Sequence, residues 1–343
     1  MRVAIDAQLA VGTATGIGEY VRGLIDALEQ KGFDVLPLSE PNLDPWRFDR
    51  RVLWDQVLLP QRARRSGADL LHCASGTVPL STALPVVATV HDVAWLRVQA
   101  HARPYARYYF GKFSIDRYRN AAAIAVDSGF SRGELLEVMP ELDPQRVRVV
   151  YPGVSPDFFA LERAQHGDRK TILVVGTVER RKNLEAVIRM LPRLPDARIV
   201  SVGPYTVYED HCKAVAVNLG VAERIEFRGY VPRAEVLRLY ATCAVVAVPS
   251  QYEGFGYAAA QALCAGAPCV VSDRSSLPEI AADLARIVPL ETEDGWVDAL
   301  RSCLQGEDDD CARSNRSRAM ERFAWAKSAA DMIATYAVSG EDQ

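Results

Sequence analysis

Short apolar runs rich in β-branched residues alternate with amphipathic stretches along the whole chain, and they do so in two successive series. The first series holds Arg-Val-Ala-Ile-Asp at 2–6, Asp-Leu-Leu-His-Cys at 69–73, Pro-Val-Val-Ala-Thr-Val at 85–90, Ala-Ala-Ile-Ala-Val at 122–126 and Val-Arg-Val-Val at 147–150. Runs this short and this apolar read as parallel strands buried on both faces, and the stretch from Ile17 to Gln30 between two of them has helical character. The pattern lapses after residue 154. It resumes with runs at 171–176, 197–203, 224–230, 243–250, 268–273 and 285–290. Strands separated by helices predict doubly wound α/β units. We expect two Rossmann-like domains facing a central cleft, spanning 1–165 and 166–325, with a helix over 326–343 packing back on the first. The 343 residues also exceed what one hydrophobic core of about 250–300 residues accommodates.

Composition narrows the function classes. A net charge of −4 gives no electrostatic case for a nucleic-acid partner, and no apolar run reaches the ~18 residues of a membrane span. The start of the chain leads directly into a strand, so a cytoplasmic protein is expected. Cys73, Cys212, Cys243, Cys264, Cys269, Cys303 and Cys311 include no C-x-x-C pair and read as buried reduced thiols.

Open parallel sheets bind ligands beyond the carboxyl ends of their strands, so residues just after the strands are the candidates. After the first strand come Gly12, Gly16 and Gly18, where the backbone turns before a helix whose N-terminus suits a phosphate or sugar hydroxyl. The dinucleotide fingerprint is absent, since Val21 stands where its third glycine falls. His91 ends the 85–90 run, with Asp92 beside it as an acid that could orient it. After 171–176 come Arg180, Arg181 and Lys182, with Asn183 as N-cap of the next helix. Three cations at a helix N-terminus oppose its dipole, a conflict that a bound anion would resolve. After 243–250 the chain reads Gln-Tyr-Glu-Gly-Phe-Gly-Tyr, placing Glu253 in a loop thinned by Gly254 and Gly256, and Gln261 about one turn into the following helix. Glu253 accepts hydrogen bonds and Gln261 both accepts and donates. The set fits a polyhydroxylated, phosphorylated ligand.

These segments together resemble the retaining glycosyltransferases of the GT-B fold in family 4. The strongest match is 249–273, which is similar to the family's E-x7-E signature followed by A-x-x-x-G-x-P-V-V. The segment 175–188 resembles G-T-x-E-x-R-K-N-L, and 15–28, 87–95, 126–135 and 149–154 match in order. The resemblance implies a nucleotide-sugar donor held mainly by the second domain and an acceptor held mainly by the first. It assigns Glu253 to donor-sugar hydroxyls, Arg181 and Lys182 to the diphosphate as it leaves, and His91 to the neighbourhood of the reacting centre. The main chain at Gly254, Phe255, Gly256 and Tyr257 is implied in phosphate binding, a loop at Gly16 and Gly18 in closure over the phosphates, and Val231 in contact with the base. No metal and no cofactor are implied, and the sequence offers no Asp-x-Asp pair placed for a metal. One position departs from the pattern: Gln261 replaces the second acid, which usually grips the ribose. A neutral acceptor contributes less than a charged one, so weaker nucleotide binding is expected.

By the same resemblance the donor leans to GDP-mannose and the acceptor to a glycan or lipid-linked molecule in polysaccharide or glycoconjugate synthesis. A UDP-sugar or deoxysugar donor with a small acceptor is the alternative. Rivals of other classes are a non-catalytic partner subunit, which Gln261 alone supports, a dinucleotide oxidoreductase, which lacks its fingerprint, and a hydrolysing epimerase, whose extra carboxylates cannot be placed. Between 97 and 119 the chain interleaves Arg97, Arg103, Arg107, Lys112, Arg117 and Arg119 with aromatic residues, and 49–65 adds further cations. This composition is expected of a helix on an anionic membrane surface, placing the protein peripherally at the inner face.

Overall fold

The computed structural model describes residues 1–11, 16–98, 105, 108–164 and 168–341. The chain divides into two compact units, Met1–Gly153 with Ala324–Gln343, and Val154–Phe323.

The first unit is a six-stranded parallel sheet of β1 (Arg2–Asp6), β2 (Asp34–Leu38), β3 (Leu70–Cys73), β4 (Val86–Val90), β5 (Ala123–Val126) and β6 (Val147–Val149), in the order β2-β1-β3-β4-β5-β6. Side chains alternate across it. Val3, Ile5 and Val87 enter a core with Tyr20, Leu24 and Tyr336, while Ala4, Leu71 and Ala88 face Trp54, Leu59 and Leu135 on the other side. Strand β2 is the element that hydropathy did not reveal. It carries Pro37 and is half-exposed, as an edge strand tolerates.

The second unit holds β7 (Asp168–Val175), β8 (Arg198–Val202), β9 (Ile225–Phe227), β10 (Cys243–Val248), β11 (Cys269–Ser272) and β12 (Arg286–Val288), all parallel, in the order β12-β11-β10-β7-β8-β9. Its core packs Ile172, Val187, Ile199, Val245, Val270, Trp296 and Leu300 together.

The first boundary falls after Gly153, earlier than the expected 165, because residues 154–164 are bound to the second unit. Phe158 meets Tyr240 edge-on at 5.1 Å, and Arg316 donates to the carbonyls of Phe159 (2.7 Å) and Leu161 (2.6 Å). The helix Trp325–Glu341 belongs to the first unit. Its Trp325 ring lies on Gly23 and Gly153, where any Cβ would stand 2.2 Å from a ring atom, so both positions require glycine. Tyr336 donates or accepts at His72 Nδ1 over 2.8 Å.

Six cysteines are buried and unpaired, as expected, but Cys311 is exposed just after the acidic stretch 307–310. No described helix is long and apolar enough to cross a membrane.

Candidate functional site

Each sheet reverses its strand order once, and at such a reversal the connections diverge to opposite faces and leave a crevice at the strand ends. In the second unit the reversal lies between β7 and β10. The loops that follow these two strands are the ones carrying Arg181, Lys182 and Glu253. They are tied together by main chain and side chain: Gln251 N–H donates to the Arg181 carbonyl at 2.7 Å, and Asn183 Nδ2 donates to the Pro249 carbonyl at 3.2 Å. Asn183 was expected to cap the next helix through its side chain. It makes no such bond. It adopts a left-handed conformation (φ 56°), which asparagine tolerates better than most residues, and its amide spans to the neighbouring loop instead.

Glu253 is the centre of this site. Its Oε1 receives Lys182 Nζ at 2.5 Å and Ser250 Oγ at 2.8 Å, and its Oε2 receives Arg181 Nη1 at 3.3 Å. Arg181 also donates to the Tyr252 carbonyl at 3.0 Å and pairs with Glu179 at 2.8 Å. The expected conflict of three cations at one turn is therefore met inside the protein, with carboxylates as counterions. Arg180 lies over the Tyr208 ring at 5.8 Å. Burial alone would raise the Glu253 carboxyl, but the charges of Lys182 and Arg181 outweigh it and hold the group below the ordinary range. Its main-chain N–H donates to Ser275 Oγ at 2.8 Å, and Ser276 Oγ donates to the carbonyls of Glu253 (3.0 Å) and Phe255 (2.8 Å).

The loop closes into the helix Tyr257–Ala265 through Gly256, at φ 97°, where a Cβ would stand 2.8 Å from Leu277. Gly254 and Phe255 are buried and Tyr257 half-buried at this turn. Gln261 is half-buried, with Tyr240 OH at 3.1 Å from its Oε1. Val231 stands after β9, two strands from β7, and is half-buried beside exposed Tyr230.

The remaining candidates lie in the first unit. Gly16 and Gly18 form the first turn of the helix Gly16–Gln30 and not a loop, with Gly18 buried, because the helix starts one residue earlier than its apolar period indicates. Gly12 lies outside the described residues. His91 follows β4, and its ring meets Tyr20 edge-on at 4.9 Å. The acid that holds it is Asp127, at the end of neighbouring β5, with Oδ2 2.8 Å from His91 Nδ1. The sequence reading chose Asp92, whose carboxylate instead accepts the Ala94 N–H at 2.9 Å. His91 Nε2 lies 3.1 Å from the Ala74 carbonyl. Burial alone would lower the imidazole, and Asp127 overcomes this and raises it.

Sequence reasoning also missed a buried charge network at the other reversal, between β1 and β3. Asp6 Oδ1 accepts from Trp54 Nε1 at 2.8 Å, and its Oδ2 accepts from Ser75. Arg51 binds Asp55 at 2.8 Å and Thr77 at 2.9 Å, and Tyr109 OH donates to Asp55 at 3.0 Å. Arg51 was counted among surface cations; it is 3% exposed. Others of that group are paired as well: Arg97 with Glu134 and Glu137, and Arg119 with Asp116 and Glu141. Tyr109, Ile115 and Tyr118 are buried, whereas Tyr105 and Tyr108 are exposed. Arg103 and Arg107 lie outside the described residues. No cluster of three metal-ligating side chains occurs among the described residues.

Two family models match the chain in succession, Glycosyltransferase Family 4 over residues 14–158 and Glycosyl transferases group 1 over 159–320. The D-inositol 3-phosphate glycosyltransferase of Mycobacteroides abscessus is 29% identical over 272 residues, covering 74% of this chain and 60% of that protein. Its counterpart in Mycolicibacterium smegmatis is 26% identical, covering 76% and 63%. The chain thus spans about three-fifths of the length of these relatives. Among solved structures, sucrose-phosphate synthase from Thermosynechococcus elongatus superimposes with a TM-score of 0.75 at 19% identity, over 98% of each chain. Anabaena HepE in complex with UDP-glucose gives 0.71 at 15% identity, over 98% of this chain and 99% of that one. At these identities the likeness is one of fold. With two six-stranded parallel sheets and a Glycosyltransferase Family 4 match followed by a Glycosyl transferases group 1 match, the chain has the GT-B fold and carries both of these glycosyltransferase domains.

Proposed function

We propose that the chain transfers a hexose from a nucleoside-diphosphate sugar to a hydroxylated acceptor with retention of anomeric configuration and without a metal ion. The observation that carries this reading is the meeting of Arg181, Lys182 and Glu253 at the strand-order reversal of the second unit. Breaking the anomeric C–O bond places negative charge on the diphosphate. Two cations carried on one loop and the N-terminus of the helix Tyr257–Ala265 stabilise that charge, and once the donor is bound they need no further reorganisation as the bond breaks. Glu253 accepts from the sugar hydroxyls, the main chain from Gly254 to Tyr257 lines the phosphates, Gln261 faces the ribose and Val231 the base. By the family resemblance, His91 is assigned to the reacting centre, and Gly16 and Gly18 to closure over the phosphates. A diphosphate drawing Lys182 and Arg181 towards itself frees Glu253 for the sugar, so donor binding exchanges one set of ion pairs for another. A departing phosphate oxygen takes the acceptor proton, and no glycosidase-type carboxylate pair is needed.

For the donor, the segment around Arg181–Lys182–Asn183 favours GDP-mannose. A UDP-sugar is the second reading, favoured by the fold neighbour HepE, whose structures hold UDP and UDP-glucose. The acceptor is a glycan or lipid-linked molecule, or a phosphorylated polyol of the kind named for the mycobacterial relatives. Exposed Tyr105 and Tyr108 in 97–119 support peripheral contact with an anionic membrane. Titration calorimetry with GDP and UDP, followed by an assay of nucleoside diphosphate release from a panel of nucleotide sugars, tests the proposal. Binding of one nucleotide and turnover of its sugar are expected; binding of neither would overturn it.

A further inference from the structure

We propose that Asp127 is the positioning residue of His91, and that the pair keeps His91 a doubly protonated imidazolium, a fixed cationic donor and not a proton acceptor. The geometry of both ring nitrogens carries this. Nε2 faces the Ala74 carbonyl at 3.1 Å, and a carbonyl has no proton to give, so Nε2 carries its own. Nδ1 faces Asp127 Oδ2 at 2.8 Å, a charge-assisted distance. A neutral imidazole has one N–H and cannot donate in both directions. The surroundings of Asp127 point the same way. Its side chain is 5% exposed, and its Oδ1 has no hydrogen-bond partner among the described residues. A buried carboxylate without a counterion is costly, and His91 is the cation the structure sets against it.

Burial raises the Asp127 carboxyl and the charge of His91 opposes that rise, so Asp127 is the one group that competes for this proton; the other groups packed around the ring do not. Asp92, next in the chain, adds negative charge that favours the cation. Tyr20 presents its ring, and its hydroxyl is engaged with Thr89 at 3.1 Å. Thr89 in turn binds His72 Nε2 at 2.8 Å, and His72 is fully buried, held neutral with its pKa pushed down to about 3 by burial. From the helix Gly129–Val138, Ser131 Oγ donates to the His91 carbonyl at 3.3 Å. The seat of the ring therefore extends through Tyr20, Thr89 and His72 to Tyr336 on the helix Trp325–Glu341.

For the reaction, the inference rests on the glycosyl-transfer reading above. A permanent imidazolium held in this seat can share its Nε2–H between the Ala74 carbonyl and a ligand oxygen, and lends positive charge there without any proton changing hands. It also removes His91 from consideration as the base that deprotonates an acceptor.

The test is nitrogen-15 NMR of the full chain labelled at histidine, read through two-bond N–H correlations. The spectrum of His91→Gln identifies the His91 signals among the five histidines. Expected at pH 7.5 are imidazolium shifts at both His91 nitrogens, with the cation lost only as pH rises well above the ordinary value of ~6.5. In Asp127→Asn the same signals are expected to become those of a neutral ring at pH 7.5. A single neutral tautomer in the unaltered protein at pH 7.5 would overturn the proposal, and that measurement stands whether or not the Asn variant folds. An Asn variant that folds and keeps the imidazolium would also overturn the assignment to Asp127. GDP and UDP titrations of the same sample separate the two layers, since failure of both nucleotides to bind overturns the glycosyl-transfer reading while the spectrum decides the charge state.

Discussion

At the reversal between β7 and β10 stand Arg181, Lys182 and Glu253, with side chains 24%, 20% and 7% exposed. At the reversal between β1 and β3 stand Asp6, Arg51 and Asp55, at 0%, 4% and 0%. Both sites set carboxylates against cations at the same place in a doubly wound sheet, and the difference in exposure gives them opposite uses. The half-buried set can change partners, because water reaches its cations and the carboxylate keeps the Ser250 hydroxyl as a donor. The buried set cannot, because separating Arg51 from Asp55 would strand both in a medium that solvates neither. Here burial pushes Asp55 up to about 6, with Arg51 opposing and Asp6 reinforcing the shift. A charge cluster at a strand-order reversal can thus exchange partners only where its members keep access to solvent.

The sharpest break of this comparison is Arg51→Met, which leaves two buried carboxylates without their cation. A loss of ~3–5 kcal/mol in urea unfolding is expected; a loss below ~1 kcal/mol would show that the network is not structural. On the proposed function Lys182→Ala removes a cation that serves the leaving diphosphate, and turnover at saturating donor should fall by about 10²–10³ with the unfolding midpoint little changed. An unchanged turnover would put Lys182 outside the chemistry. Glu253→Gln removes the counterion that, on the proposed function, a diphosphate displaces. Calorimetry should give tighter nucleoside diphosphate binding, by about fivefold or ~1 kcal/mol, together with lost transfer. This gain has a defined pH dependence. The Glu253 carboxyl is depressed, so its ion pairs are fully present above the ordinary carboxylate range and disappear as pH falls through the lowered value, where the variant and the unaltered protein should converge. The smallest effect is expected of Gln261→Glu. Tyr240 already bonds the Gln261 carbonyl, so a charged acceptor should tighten nucleotide binding by under ~1.5 kcal/mol.

The strands with apolar side chains on both faces were legible in the sequence, because burial on two sides leaves an unbroken run. Strand β2 was not, since an edge strand carrying Pro37 has neither the run nor a strict alternation. The loops bearing Lys182 and Glu253 were legible because the strand pattern marks where each strand stops. What could not be read was which side chains meet across neighbouring strands. Asp127 is 36 residues from His91, and only the pairing of β4 with β5 brings their ends together; Asp92, next in sequence, points elsewhere. For Arg51 a local signal existed, since Asp55 lies four residues on along a helical stretch, but such i,i+4 pairs are also found on solvated helix faces, so the spacing says nothing of burial.

The Trp325 ring seated on Gly23 and Gly153 has a consequence for how the protein is made. The segment 154–323 is continuous and can finish folding while translation proceeds, whereas the sheet begun by the first residues waits for the helix 325–341 to leave the ribosome. Domains usually complete in the order of their synthesis; here the order is inverted, and the half that starts first is closed last.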